Sequence, residues 1–365
     1  MSDWTGRRVL VTGVCGTVGR EILRQLVTEA PTEIIGIDNN ESELFFLQQE
    51  TSDLDTLVTL SLGDVRDAAR LQRVMEGVDT VLHAAALKHV HLCEQSPRDA
   101  IQTNVLGAQN IVDAAEANGV ERVILTSSDK AVNPTSVMGT SKLMGERLFT
   151  AAYLRRRDPR PIFASTRFGN VLGSRGSVIP LFHRQVHDGG PVTITDLDMT
   201  RFIMTLREAV KLTMDSVFLA QGGEVFVTKM QVLRIEDLAH VMIEELAPVY
   251  GHDPDEIRIE IIGAKMGEKL WEELLNEEEV RRAEELPNHF VIHPVVPTTL
   301  GGKLEYIHPK ALGTVEEAYN SARERPMTRE ELRTYLREHE LLEVDGDGGA
   351  SREAGRTRVW EMAER

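Results

Sequence analysis

Between residues 126 and 142 the chain gathers groups that can move protons. Thr126-Ser127-Ser128-Asp129-Lys130-Ala131 is followed by VNPTSVMGTSK (132–142), which ends in Lys142. Ser128, Asp129 and Lys130 set a hydroxyl, a carboxylate and an amine side by side. A carboxylate and an amine work as acid and base when burial or nearby charge retunes them. Taken alone, Asp129-Lys130 is equally what a surface ion pair at a turn looks like. A second constellation lies near the start. Thr12-Gly13-Val14-Cys15-Gly16-Thr17-Val18-Gly19 has the spacing G-x-x-G-x-x-G. Glycines so placed allow a tight turn, a close approach of backbone to a pyrophosphate and close helix–sheet packing.

The elements around these residues must form strand ends for that chemistry to work. RRVLVTG (7–13), EIIGID (33–38), TLVTLSLGD (56–64), DTVLHAAA (79–86), ERVILTSS (121–128) and PIFASTRF (161–168) read as apolar strands. Helices are expected from Thr17 to about Glu29, over ESELFFLQQE, over 97–118 and from Ser136 to about Arg157. In 97–118 the apolar residues Ala100, Ile101, Val105, Ala108, Ile111, Val112 and Ala115 follow the 3.6 period of one buried face. Strand–helix alternation with short connections predicts βαβ units and a parallel sheet. Residues 169–200, rich in Gly, Pro and Ser, suggest an excursion from that sheet. A helix over 206–220 and a strand over 222–228 bring the chain back. Residues 236–335, including IRIEII (257–262), read as helix-rich. The expected organisation is an α/β, Rossmann-type doubly wound sheet over 1–170, completed by about 203–230. A smaller substrate domain over 171–202 and 231–335 and a mobile tail over 343–365 follow.

In an open parallel sheet, ligands sit at the carboxyl ends of the strands. The glycine loop ends the first strand and opens a helix, whose N–H groups and dipole can receive phosphate through Gly16, Thr17 and Val18. Asp38 ends the second strand, where a carboxylate accepts ribose hydroxyls and repels a 2′-phosphate, favouring NAD while leaving NADP possible. Asp64, followed by Val65, can reach an adenine amine, and Ala84-Ala85-Ala86 lets backbone pass close to a cofactor. Cys15 reads as a small loop-filling residue rather than a redox thiol.

At this point the sequence resembles the extended short-chain dehydrogenase/reductase superfamily. Within it, the chain is similar to nucleotide-sugar 4,6-dehydratases acting on UDP-N-acetylglucosamine for polysaccharide or glycan biosynthesis. The likeness rests on AAALKHVHLCE (84–94), SSDKAVNPTSVMGTSK (127–142), RFGNVLGSRGSVIPLF (167–182), DMTRFIMT (198–205) and GEKLWEELL (267–275). The superfamily pattern places Tyr four residues before Lys; this chain has Met138 there, as some branches of the dehydratases do. A thioether neither takes nor gives a proton. The resemblance implies that Asp129 protonates the departing C6 hydroxyl and that Lys130 removes the C5 proton. It also implies that Ser128 bonds the C4 oxygen and Lys142 holds the nicotinamide ribose. Lys142 through a water, or Lys130, remains for the first deprotonation.

A UDP-sugar brings phosphate charge to a chain of net charge −17, so cations must be local. Lys88, Arg175, Arg201 and Lys265 lie in the resembling segments, with Asn170 in the glycine-rich run that looks like the substrate loop. The family's Arg-Pro before Gly-Glu-Lys-Leu is Lys265-Met266 here. The acidic charge excludes a general nucleic-acid binder. No run of ~18 apolar residues predicts a membrane span. Two cysteines and no apolar leader fit a cytoplasmic protein. His89, His91, His293 and His308 lack metal spacing and read as structural. The expected partners are a UDP-sugar and, from the resemblance, a second copy of the chain. A UDP-sugar 4-epimerase shares the cofactor but needs no elimination acid and base, and a catalytically silent NAD-binding sensor finds its only support in Met138.

Overall fold

A computed structural model describes residues 4–155, 160–173, 177–263, 268–295 and 308–343. The chain divides into two compact units. The first comprises residues 1–168, 207–229 and 273–318, and the second residues 169–206, 230–272 and 319–365.

The first unit is built on one ten-stranded sheet. Its leading strands are β1 (Arg8–Thr12), β2 (Glu33–Asp38), β3 (Val58–Leu62), β4 (Thr80–His83), β5 (Arg122–Ser128) and β6 (Ile162–Phe168). With Val225–Thr228 at the β6 edge, the parallel order is 225–228, β6, β5, β4, β1, β2, β3. After β3 the chain returns to the other side of β1, which makes the carboxyl ends of β1 and β4 the topological switch point of a doubly wound sheet. β4 is buried at every position, as expected of a strand covered on both faces. On one face, Leu10, Ile37, Val81, Val123 and Phe163 pack with Ile111 and Phe149 from helices. The Phe149 and Phe163 rings meet edge to face at 5.6 Å.

Two expectations need correction. Residues 236–335 are not helix-rich throughout: Ala283–Glu285, His289–Ile292 and Gly313–Thr314 add three antiparallel strands to the large sheet, beyond Val225–Thr228. Residues 273–318 therefore group with the first unit instead of the smaller domain expected over 231–335. The reason is an open sheet edge: Val225–Thr228 carries unpaired N–H and C=O groups that His289–Ile292 satisfies. The second correction concerns 97–118. Its turn Ile101–Leu106 is π-helical, and the extra residue rotates the stripe. Ile101 is left half exposed and Asn104 points inward, buried.

The second unit packs the helices Val178–His187, Ile235–Tyr250 and Arg329–Glu338 around Phe182, Val186, Leu238, Met242, Leu246, Leu332 and Leu336. Its strands Asn170–Val171, Thr200–Met204 and Gln231–Arg234 form a separate three-stranded sheet. Residues 169–200 thus leave the main sheet, as their composition suggests. The tail beyond Glu343, expected to be mobile, lies outside the described residues.

Candidate active site

At the switch point the glycine loop is held shut by backbone. The Gly13 N–H donates to Ile37 O at 2.8 Å and the Gly16 N–H to Gly13 O at 3.0 Å. Gly13 has φ +70°, and a Cβ there would stand 2.7 Å from Ala85 Cα. A Cβ on Gly19 would stand 2.1 Å from Gly13 O. Both positions therefore require glycine, Gly13 because it backs directly onto the Ala84–Ala85 backbone. The helix α1 (Thr17–Thr28) starts from Gly16, whose N-cap makes no side-chain hydrogen bond, and has no acidic residue in its first turn. Its N–H groups and dipole are left for an anion. This cradle fits a dinucleotide pyrophosphate.

Asp38, at the end of β2, accepts the Cys15 N–H on one oxygen and the Asn40 N–H on the other, each at 3.0 Å. A carboxylate has about four lone-pair sites, so this fixes its orientation and leaves acceptor capacity for two ribose hydroxyls. Cys15 is buried, and burial, then the Asp38 charge, pushes its thiol up to about 12. A buried thiol of that kind is consistent with a small loop-filling residue. Asp64 is less open than expected. Arg66 grips both of its oxygens at 2.6–3.0 Å and holds it down at about 2, while Val65 is buried against Gly107.

At the end of β5 the proton-moving groups form one bonded row. Ser128 Oγ donates to Asp129 Oδ1 at 2.7 Å, and Lys130 Nζ lies 3.2 and 3.1 Å from the two Asp129 oxygens. Asp129 is 4% exposed, whereas the Lys130 side chain is 37% exposed. Lys142, on the helix Val137–Arg155, donates to Thr126 O at 2.9 Å. Burial pulls it down from 10.5 to about 8, opposed by the charge of Glu146. Met138, one turn earlier, is 3% exposed in an apolar cluster with Cys93 and Ala100.

In the second unit, Asn170 and Arg201 converge on one carboxylate. Asn170 Nδ2 donates to both Glu272 oxygens at 2.8 Å. Arg201 lies 3.4 Å from Glu272 and 3.6 Å from Glu268, and donates to Thr200 O and Leu270 O. Lys88 is exposed after β4. Arg175 and Lys265 lie outside the described residues.

Comparison with known proteins fixes the family. Residues 9–294 match the family described as polysaccharide biosynthesis protein. The chain belongs to that family. Its relatives include a Methanocaldococcus jannaschii protein named as an uncharacterized membrane protein, 50% identical over 79% of this chain and 86% of that one. The UDP-N-acetylglucosamine 4,6-dehydratase (inverting) of Campylobacter jejuni is 37% identical over 80% of this chain and 84% of its own. The chain spans 46% of the length of the capsular polysaccharide biosynthesis protein CapD of Staphylococcus aureus, at 41% identity over 76% of itself. A UDP-glucose 4-epimerase of Rickettsia canadensis is 35% identical over 90% of this chain and 95% of its own. Among solved structures, Pen from Bacillus thuringiensis superposes with a TM-score of 0.83 at 40% identity, covering 93% of this chain and 99% of that one. The dTDP-glucose 4,6-dehydratase DesIV of Streptomyces venezuelae, solved with NAD, gives a TM-score of 0.61 at 25% identity over 72% of this chain and 86% of its own.

Several residues of this family member escaped the sequence reading. Asn104 donates to Ser141 Oγ at 2.9 Å and exchanges bonds with the Leu87 backbone, tying the loop after β4 to the lysine helix. Its signal was a polar residue inside an apolar stripe. His83 bonds Thr12 Oγ1 at 2.7 Å, and burial, then Lys142, pushes it down to about 3, so it is neutral. Arg167 is clamped between Glu146 and Glu279, all three buried. Nothing in their spacing joins residues 146, 167 and 279; only the fold does.

Proposed function

We propose that the chain is a nucleotide-sugar 4,6-dehydratase that turns UDP-N-acetylglucosamine into a UDP-4-keto-6-deoxy sugar for polysaccharide synthesis. The observation that carries this reading is the bonded row Ser128–Asp129–Lys130 at the end of β5, supported by the relation to the Campylobacter enzyme. A bound NAD supplies a hydride acceptor for C4 and then a hydride donor for C6, so no net oxidation results.

The protein's part is proton traffic. Removing hydride from C4 makes a ketone that acidifies C5–H. Lys130 takes that proton and Asp129 gives one to the departing C6 hydroxyl. At rest the 3.1 Å ion pair holds its proton on Lys130, the reverse of what elimination needs. A substrate that covers Lys130 removes the water that stabilises the charges. Elimination runs from the pair with its proton moved to Asp129, which leaves Lys130 free to accept. The same contact that looks like a salt bridge is then a one-proton switch. Ser128 turns its hydroxyl from Asp129 to the C4 oxygen. Lys142, through a water, accepts the first proton, since Met138 cannot and Lys130 must stay free for C5–H. Lys142 also bonds the nicotinamide ribose.

Asp38 and the Gly13–Gly19 loop hold the adenosine ribose and pyrophosphate, with Asp64 and Val65 at the adenine. Asn170, Arg201, Lys88, Arg175 and Lys265 are assigned to the UDP-sugar, because a guanidinium forks onto phosphate and a lysine supplies point charge. We place the reaction in the cytoplasm, which two cysteines fit, and expect self-association, as the family resemblance implies. Among the described residues no helix is long and apolar enough to cross a membrane.

Two variants test parts of this reading. Asp38→Ala should weaken NAD and narrow the preference over NADP, since the ribose hydroxyls lose their acceptor and a 2′-phosphate loses its repeller. Titration of both cofactors checks it, and an unchanged preference would move the discriminating contact elsewhere. Met138→Tyr should leave turnover of UDP-N-acetylglucosamine at or below wild type. A phenol there would enter the apolar Cys93–Ala100 cluster and need both space and a hydrogen-bond partner. A several-fold rise would mean that the natural site is an impaired one. A 4-epimerase is the second reading, favoured by the UDP-glucose 4-epimerases of Rickettsia, and it leaves Asp129 and Lys130 without work.

A further inference from the structure

We infer that Glu43 and Glu50 are specificity-determining residues for the cofactor: they clamp Arg20 and so withhold the cation that a 2′-phosphate would need. The inference rests on the reading that the glycine loop and Asp38 hold the adenosine of NAD. It adds a second reason, beyond Asp38 itself, why that ribose is taken without a phosphate.

The clamp joins the two helices that follow β1 and β2. Arg20 comes directly after Gly19 near the start of α1, and its N–H donates to Gly16 O at 2.9 Å. Glu43 lies in the first turn of the helix Glu41–Glu50, and Glu50 ends it. Arg20 Nη2 donates to Glu43 Oε2 at 3.0 Å, and Nη1 reaches the two Glu50 oxygens at 3.2 and 2.9 Å. All three side chains are half-buried. From Glu43 the bonds run on to Asp38: the Glu43 N–H donates to Asn40 Oδ1 at 3.2 Å, and the Asn40 N–H donates to Asp38 Oδ1 at 3.0 Å. The other Asp38 oxygen takes the Cys15 N–H. Burial first, then Asp38, raises the Cys15 thiol; Arg20 opposes this, and Glu43 and Glu50 add to it, so all four charges surround that side chain. The carboxylates, rather than the arginine's own donors, set this position, because Arg20 Nε is buried without a partner among the described residues.

The balance of charge favours a bare hydroxyl. Asp38, Glu43 and Glu50 set three carboxylates against the single guanidinium of Arg20, and Glu41 in the same first turn adds to the negative side. A 2′-phosphate entering here meets like charge, and half-buried charges are screened less than exposed ones. It would need a guanidinium with a free fork, the group best shaped to grip phosphate, and the fork of Arg20 is already committed. The other charged groups at this end are accounted for. Glu21 and Arg24 on α1 close on each other, as do Asp64 and Arg66 after β3. Arg70 lies over Gly63, its Nε 3.7 Å from where a Cβ would stand. It is the rival cation, and the test includes it.

Calorimetric titration of the full chain with NAD and with NADP gives the ratio of their dissociation constants and needs no turnover. Glu43→Gln combined with Glu50→Gln keeps the shape of the clamp and removes its charge. The ratio should then move toward NADP by roughly tenfold or more, with NAD affinity changed much less. Arg20→Gln alone should move the ratio the other way, because three carboxylates are left unanswered. Adding Arg20→Gln to the double variant should reverse the larger part of its gain, since the relief of repulsion stays but the fork is lost. Arg70→Gln in the same background should keep the gain. A clamp that merely braces the two helices would weaken both cofactors together and leave the ratio in place, and that result overturns the proposal. So does a gain that fully survives the loss of Arg20 or vanishes with Arg70, or a wild type that prefers NADP. If the double variant does not fold, Glu50→Gln alone, which spares the first turn of Glu41–Glu50, replaces it with an expected shift of roughly threefold in the same direction. A wild type that binds neither cofactor would defeat the NAD reading and this inference together, whereas an unmoved ratio with NAD bound defeats this inference alone.

Discussion

Asp129→Asn stops water loss while NAD stays bound. The amide keeps the shape of the carboxyl and can still accept from Ser128, but it cannot deliver a carboxyl proton to the C6 oxygen. It also removes the partner to which Lys130 returns its proton across 3.1 Å. General acid–base groups contribute roughly 10²–10⁴ in rate, and losing both ends of one proton switch should sit at the upper part of that range. Cofactor binding is spared because the glycine loop belongs to β1 and α1, not to the end of β5. Single-turnover formation of the keto sugar, with NAD content measured on the same sample, separates the two effects. Elimination at near wild-type rate would remove Asp129 from its role.

Gly19→Ala should cost NAD affinity on the order of 100-fold or more, the scale of about 2.7 kcal/mol in binding. The new Cβ would stand 2.1 Å from Gly13 O. Gly13 cannot retreat, because it rests on the Ala85 backbone and its N–H is committed to Ile37 O. The loop must open, and the first-turn N–H groups of α1 lose their aim at the pyrophosphate. The buried face of α1, formed by Ile22, Leu23 and Leu26, is untouched, so the helix should remain folded. NAD titration alongside circular dichroism checks this. Unchanged affinity with an intact fold would put the phosphate elsewhere.

How legible these features were depends on whether they are local. β1 to β6 announce themselves as apolar, β-branched runs between turns, and the helix over 41–50 is observed where the sequence places it. The glycine loop and Asp38 are readable because each acts at the end of its own strand. Ser128, Asp129 and Lys130 are adjacent in the chain, so their bonding needed little help from the fold. The segment 283–292 was harder. AEELPNHFVI alternates weakly and carries charge, and it becomes strand because an edge needs covering. The π-helical turn at 101–106 shifts Asn104 inward against the period that the apolar residues suggest. Arg167 and Glu146 read as solvated charges in their own segments. Their burial is a tertiary fact, decided by Glu279 more than a hundred residues further on. Arg66 shows the same lesson in miniature: the carboxylate expected to wait for adenine already has a cation two residues away.

The most direct test of the dehydratase reading is the product formed from UDP-N-acetylglucosamine by the NAD-loaded protein in deuterated water, analysed by mass and by carbon–deuterium position. The account predicts a product lighter by one water, carrying one deuterium at C5 where the base exchanged its proton. An isobaric product without deuterium at C5 would make the chain a 4-epimerase, and unchanged substrate would contradict the assignment of Asp129 and Lys130 to elimination.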